Sequence, residues 1–299
     1  MTLQIIPKRT LFLTIALSMA VAGIIALFLW QLRLGIDFTG GSFLEIVYTA
    51  SRPTTESLKQ KIESVGIKEY EVKLAGDHGV MFRFGTMDEE THQKVLVELK
   101  KDDENLIQKS FESIGPVIGE ELKSKSLWAL VVALLAIMAY ITYAFRKVSY
   151  PVASWKYGVS AIFALLHDLI FVLGIFAILG HFAGIEVTSS FIPAFLTVLG
   201  FSVHDTIVIF DRIRENLLKY RGNFEEVVNK SLNETIVRSI NTSFTVLLVL
   251  LALYFLGGDT LRTFALALIF GIGVGTYSSI FVASPLLVAW HLMALKKKA

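Results

Sequence analysis

The sequence predicts a polytopic α-helical membrane protein: six transmembrane helices, with one α+β domain inserted between the first and the second. Three observations predict it. Of 299 residues, 54% are hydrophobic and 18% charged, whereas soluble domains carry about 25% charged residues. Six apolar runs reach roughly the 20 residues that a spanning helix needs. Charge is also concentrated, because residues 33–125 hold 30 Asp, Glu, Lys and Arg while the other 206 positions hold 24. Two solvents are implied, and the insert, acidic by 17 to 13, is composed for water. The chain divides into 1–32, an N-terminus and first span; 33–125, the insert; and 126–299, spans two to six.

The apolar runs are 11–30, 127–145, 157–179, 187–210, 236–256 and 264–290. The first follows Lys8 and Arg9 and contains Ala20-Val21-Ala22, which looks like a signal-peptide cleavage site. Its apolar character continues through Ile24, Ile25, Leu27 and Trp30, which suits an anchor better. Within the insert, 42–48 alternates as a strand with Leu44, Ile46 and Tyr48 on one face. A helix over 54–65 follows Pro53 and presents Leu58, Ile62 and Val65. Segments 70–74 and 80–84 form a hairpin across Gly76-Asp77-His78-Gly79. A second helix begins with Thr86 and Glu89 at capping-box spacing and turns Val95, Leu96 and Leu99 inward, and 106–114 is the last strand. The order βαββαβ is the ferredoxin-like pattern, which hosts many functions. His78 and His92 read as solvated histidines on a turn and a helix flank.

Orientation follows from Lys and Arg in the short connections. Lys8, Arg9, Arg146, Lys147, Lys156, Arg212, Arg214, Lys219, Arg221, Lys230, Arg238, Lys296, Lys297 and Lys298 fall on one side, while the opposite short loops hold only Arg262. Both termini are expected in the cytoplasm and the insert outside, in a multi-pass protein of the cell membrane. With no cysteine, disulfides and thiolate metal sites are excluded. No cofactor is expected, and the net charge of +2 gives no indication of nucleic acid.

A charge at the bilayer centre costs about 2.5–3.5 kcal/mol on insertion scales, so two intramembrane acids need a reason. Asp168 lies eleven residues into the third span, roughly 16 Å at 1.5 Å per residue. Asp205 lies in the fourth, short of the boundary marked by Asp211 and Arg212, and Ser202 and Thr206 flank it. Each follows a histidine, His167 and His204. Arg238 enters the fifth span at a depth comparable with Asp205, so the two form a candidate switchable pair for proton-coupled transport, with Asp168 and His204 as further candidate proton-transport residues. Against that stand plainer readings: Arg238 snorkels to the headgroups, and Asp168 is a structural acid held by hydroxyls. An intramembrane aspartyl protease would also use two aspartates, but its Tyr-Asp and Gly-x-Gly-Asp signatures are absent, as are HExxH, Walker and GxSxG motifs. Gly271, Gly273, Gly275, Ser278 and Ser279 make a small-residue stripe on the sixth span, suited to close helix packing.

Four segments carry a resemblance that covers essentially the whole chain. They are Gly35-Ile36-Asp37-Phe38-Thr39-Gly40-Gly41; Ser113-Ile114-Gly115-Pro116; the run from Gly200 to Asn216 through His204-Asp205, Asp211-Arg212 and Arg214; and Arg238-Ser239-Ile240-Asn241-Thr242-Ser243. They closely resemble the SecF family, RND-superfamily membrane subunits that work with SecD in bacterial protein export. The resemblance implies partnership with SecD and the SecYEG channel, possible neighbours in YajC and YidC, and unfolded exported chains as clients. It implies use of the proton-motive force for late, ATP-independent translocation without enzymatic chemistry. It maps the family's functional acid onto Asp205 and its functional arginine onto Arg238. His204 stands where many members have Asn, so a titratable ring beside the acid could extend the relay. Gly40 and Gly41 have a geometric reading, the turn into the first strand, and Asp37 is a capping candidate there. A small-molecule RND exporter is the rival, although it would bring larger outer domains and twelve spans.

Overall fold

The computed structural model describes residues 3–146 and 151–296, the side chains at 259 and 260 excepted. Lys147, Lys297 and Lys298, counted above for orientation, lie outside the described residues. Contacts divide the chain into two units, residues 34–126 and the remainder.

Among the described residues six helices are long and apolar enough to cross a bilayer. They are α1 (Arg9–Trp30), α5 (Pro116–Ala144), α6 (Ser154–Ala183), α7 (Phe191–Lys219), α8 (Phe224–Leu256) and a sixth made of α9 (Asp259–Ser278) and α10 (Ser284–Lys296). Several outrun their apolar stretches. α7 and α8 continue as amphipathic helices on either side of a short turn, because Phe210, Ile213, Val228 and Leu232 pack into one core while charged residues occupy the other face. Hydropathy detects only the lipid-length part.

The sixth span is not one helix. Ser279–Ala283 is a π turn between α9 and α10. Pro285 supplies the cause: without an N–H, and with a ring that crowds the carbonyl four residues earlier, it cannot continue a regular α ladder. Small residues set the helix spacing. A Cβ on Gly275 would lie 2.9 Å from the Ser202 Cβ, and one on Gly271 would overlap Val198, so α9 rides directly on α7. Gly273 faces open space, and the stripe is therefore narrower than its sequence suggested. Gly23 and Gly174 bring α1 against α6 in the same way. Burial ranks the spans, with α6, α7 and the sixth 44–61% buried over their apolar windows and α5 only 6%.

The N-terminal segment is tied to α8. Asn229 Oδ1 accepts from the backbone N–H of Ile5 (2.9 Å) and Ile6 (3.0 Å), and its Nδ2 donates to the Leu3 carbonyl (3.1 Å). Asn233 grips Leu3 from both sides, accepting at 2.6 Å and donating at 2.9 Å. Arg9 adds an ion pair to Glu225 at 3.0 Å.

The second unit has the order α2 (Ile36–Thr39), β1 (Gly41–Val47), α3 (Thr55–Ser64), β2 (Tyr70–Ala75), β3 (Gly79–Phe84), α4 (Glu89–Lys100) and β4 (Ile107–Ile114). Its sheet runs β2-β3-β1-β4, with every neighbouring pair antiparallel. Leu44, Ile46, Tyr48, Val80 and Phe82 of the sheet meet Leu58, Ile62, Val95 and Leu99 of the helices in one core. The single-turn helix α2 was not apparent from periodicity. Gly40 and Gly41 do adopt φ of +72° and +122°, and neither has room for a Cβ, with the Pro116 backbone and the Phe84 carbonyl 2.8 and 2.7 Å away.

Helix α4 is capped by Asp88, which accepts from the Thr91 N–H at 2.9 Å, and not by Thr86. His92 is not a solvated histidine: it is 3% exposed and stacks parallel on Phe111 at 3.6 Å, because its helix face turns onto the sheet.

Candidate functional site: buried carboxylates among α6, α7 and α9

Asp168 and Asp205 are 0% and 3% exposed, so neither reaches the membrane-facing surface. Their surroundings differ. Asp168 Oδ2 accepts from Ser202 Oγ of α7 and from Ser278 Oγ of α9, both at 2.8 Å. Its Oδ1 lies 3.1 Å from His167 Nδ1. Three elements thus converge on one carboxylate. The hydroxyls continue beyond it, since Thr206 and Ser279 Oγ atoms meet at 2.9 Å and both bond the Ser202 carbonyl.

In the sequence Ser202 is a neighbour of Asp205 on the same helix. The fold instead gives its hydroxyl to Asp168 on the adjacent helix, and gives Ser278 to the same oxygen. Sequence marks both serines only as flanking or packing residues, because their role depends on which face of α9 meets α7. His167 is buried, and its Nε2 has no partner among the described residues.

Asp205 is under-satisfied. Its Oδ2 makes no hydrogen bond among the described residues, and His204 Nδ1 is 4.0 Å from Oδ1. Ser239 of α8 is the hydroxyl beside it, itself buried without a closed hydrogen bond. The His204 side chain is 66% exposed and lies on the outer surface of the span.

The expected Asp205–Arg238 pair is not formed. Arg238 is exposed, whereas Ser239, one residue and about 100° further round the helix, is the one that faces Asp205. Matched depth placed acid and base at one level but could not set the rotation of α8. Ser243 of α8 meets Thr276 of α9 at 2.5 Å, which holds α8 in that rotation.

The remaining motif residues lie elsewhere. Arg212 bridges Glu215 and Glu234, both at 2.6 Å, and Arg214 pairs with Asp211 at 2.8 Å. The Arg212–Glu234 pair, with Asn216 on Ser231 and Glu234, clamps the extended ends of α7 and α8. Asp37, Phe38 and Thr39 form α2, where Asp37 stands in the first turn, Phe38 is buried and the Thr39 hydroxyl accepts from Arg83 at 2.8 Å. Among the described residues no group of three or more His, Cys, Asp or Glu side chains assembles that could hold a metal.

A family model described as protein export membrane protein SecD/SecF, C-terminal, matches residues 94–293. The protein translocase subunit SecF of Thermobaculum terrenum is 46% identical over 97% of this chain and 94% of its own length. The protein translocase subunit SecDF of Bacillus subtilis is 35% identical over 97% of this chain, which corresponds to 38% of that longer protein. The crystal structure of SecDF, a translocon-associated membrane protein from Thermus thermophilus, superposes with a TM-score of 0.83 at 35% identity, over 97% of this chain and 39% of that one.

Proposed function

The chain belongs to the SecD/SecF family of protein-export membrane proteins, and from that membership we propose that it is a non-enzymatic accessory subunit of the Sec translocase. It works with SecD beside SecYEG, using the proton-motive force to assist late, ATP-independent movement of exported chains. SecD is the partner that the fused SecDF relatives supply in the same chain. Both termini lie in the cytoplasm and the inserted domain outside. The strand order β2-β3-β1-β4 with antiparallel neighbours supports a ferredoxin-like fold for that domain.

The observation that carries the coupling is Asp205, a buried carboxylate in a membrane span with one oxygen unpartnered among the described residues. Such a group is expensive in lipid and marks ion pathways. It is also free to take and give up a proton without breaking a bond network. One charge crossing the membrane field gains about 2.3 kcal/mol per 100 mV, enough to bias a two-state element strongly. His204, 4.0 Å away and exposed, is the route between Asp205 and the outside of the bundle. Arg238, exposed on α8, is either met by SecD or brought to Asp205 by rotation of α8. Asp168, fully hydrogen-bonded, holds α6, α7 and α9 together around the moving charge.

The test is export into membrane vesicles at fixed ATP, with and without an imposed proton gradient. Asp205→Asn should retain shape and SecD association and lose the response to the gradient. A full response in that variant would make Asp205 a structural acid.

A further inference from the structure

Where α6 begins and α10 approaches its end, Trp155 and Trp290 cross perpendicular to one another with ring centroids 5.1 Å apart. Lys156 Nζ stands 6.0 Å from one ring and 5.7 Å from the other. Trp155 is 47% exposed, and Lys156 and Trp290 are half-buried. The tryptophans come from the first turn of one span and the last turns of another, the level at which indoles collect at membrane interfaces.

The charge balance at this notch is incomplete. At the same end of the bundle Arg9 pairs with Glu225, and Arg212 with Glu234 and Glu215. Lys156 has no carboxylate within ion-pair distance among the described residues, and neither indole N–H makes a hydrogen bond among them. Glu225 is taken by Arg9. A half-buried ammonium flanked by two indole donors and an exposed apolar ring face is complementary to an anion that carries acyl chains.

We propose that the Trp155–Lys156–Trp290 notch binds the headgroup phosphate of an anionic glycerophospholipid. Lys156 and the indole N–H groups take the phosphate, and the ring face of Trp155 lies along the first methylenes of the chain. A soluble phosphate ester would satisfy the donors but leave that exposed ring uncovered, so the lipid is the ligand that matches both halves of the site. The contact would anchor α6, the helix that carries Asp168, to α10 at the membrane surface.

The test uses the full chain with Trp30→Phe and Trp128→Phe, which leaves Trp155 and Trp290 as the only indoles, reconstituted in phosphatidylcholine bilayers. Brominated phosphatidylglycerol should quench their fluorescence more than brominated phosphatidylcholine at equal mole fraction. Lys156→Gln should lower the relative binding constant for phosphatidylglycerol about fivefold, the scale of one lysine at an anionic surface. Lys156→Arg should restore most of it. Equal quenching by the two lipids, or a preference that survives Lys156→Gln, overturns the proposal. Inorganic phosphate in the buffer should leave the preference unchanged, and its loss would mean a soluble anion occupies the notch in place of a lipid.

Discussion

Ser202→Ala and Ser278→Ala probe the Asp168 junction. Each removes one 2.8 Å hydrogen bond to the same carboxylate oxygen. Alanine keeps the Cβ of Ser202 that seats against Gly275, so helix spacing should hold and the loss is confined to the donor. Hydrogen bonds to charged groups net about 1.5–3 kcal/mol in soluble proteins, while measured interhelical bonds in lipid average about 0.6 kcal/mol. A single change is therefore expected to cost about 1 kcal/mol. The double change is different in kind, because it leaves a fully buried Oδ2 with no partner and adds a desolvation penalty of about 1–3 kcal/mol. Its cost should be about 3 kcal/mol, exceeding the sum of the singles by about 1 kcal/mol. Reversible unfolding of the full chain in mixed micelles, followed by helicity, measures all three. In an Asp168→Ala background both serine effects should fall to a few tenths of a kcal/mol. Strict additivity, together with unchanged serine costs when Asp168 is absent, would refute the convergence of three helices on one carboxylate.

Arg238→Met should lose gradient-driven export, and Arg238→Lys should retain a part of it if charge alone matters, but little if the planar guanidinium is needed. In a chain with no native cysteine, a thiol at position 77 should react with an impermeant reagent outside intact cells and one at position 223 should not; the reverse pattern would invert the topology. Residues 40–118 expressed alone should melt cooperatively, since their two helices and four strands share one core. That domain should also lose stability in acid. Asp103 accepts from the Thr49 hydroxyl and from the backbone N–H of Thr49, Ala50 and Asn105, and the Thr49 bonds hold its carboxyl below the usual value of 3.8. A depressed folded-state pKa contributes stability above the unfolded value that is lost as pH falls through the folded one. Asp103→Asn should accordingly flatten the acid limb of the melting-temperature profile, and an unchanged limb would assign it to other carboxylates. Asn229→Ala removes three backbone hydrogen bonds from the Leu3–Ile6 segment and should cost about 1–3 kcal/mol, read as faster proteolysis of the N-terminus.

Sequence alone determined which stretches cross the lipid, because a span is a local quantity: about 20 apolar residues match one bilayer thickness wherever they pack. It also determined the alternation that buries Leu44, Ile46 and Tyr48, and it singled out Asp168 and Asp205, since a carboxylate in an apolar run is conspicuous without any fold. Tertiary structure decided which side chains meet. The Gly271 and Gly275 contacts with Val198 and Ser202, and the π turn forced before Pro285, set how α9 is turned against α7. That geometry delivers Ser202 and Ser278 to Asp168 and leaves Asp205 short of a partner. Arg238 shows the same limit from the other side, for depth along a helix follows from counting residues at 1.5 Å each. Azimuth around it follows only from packing against the neighbouring helices. His92 likewise read as solvated until the sheet placed Phe111 beneath its ring. Long-range rotation and register are properties of several helices at once, and no single segment of the chain contains them.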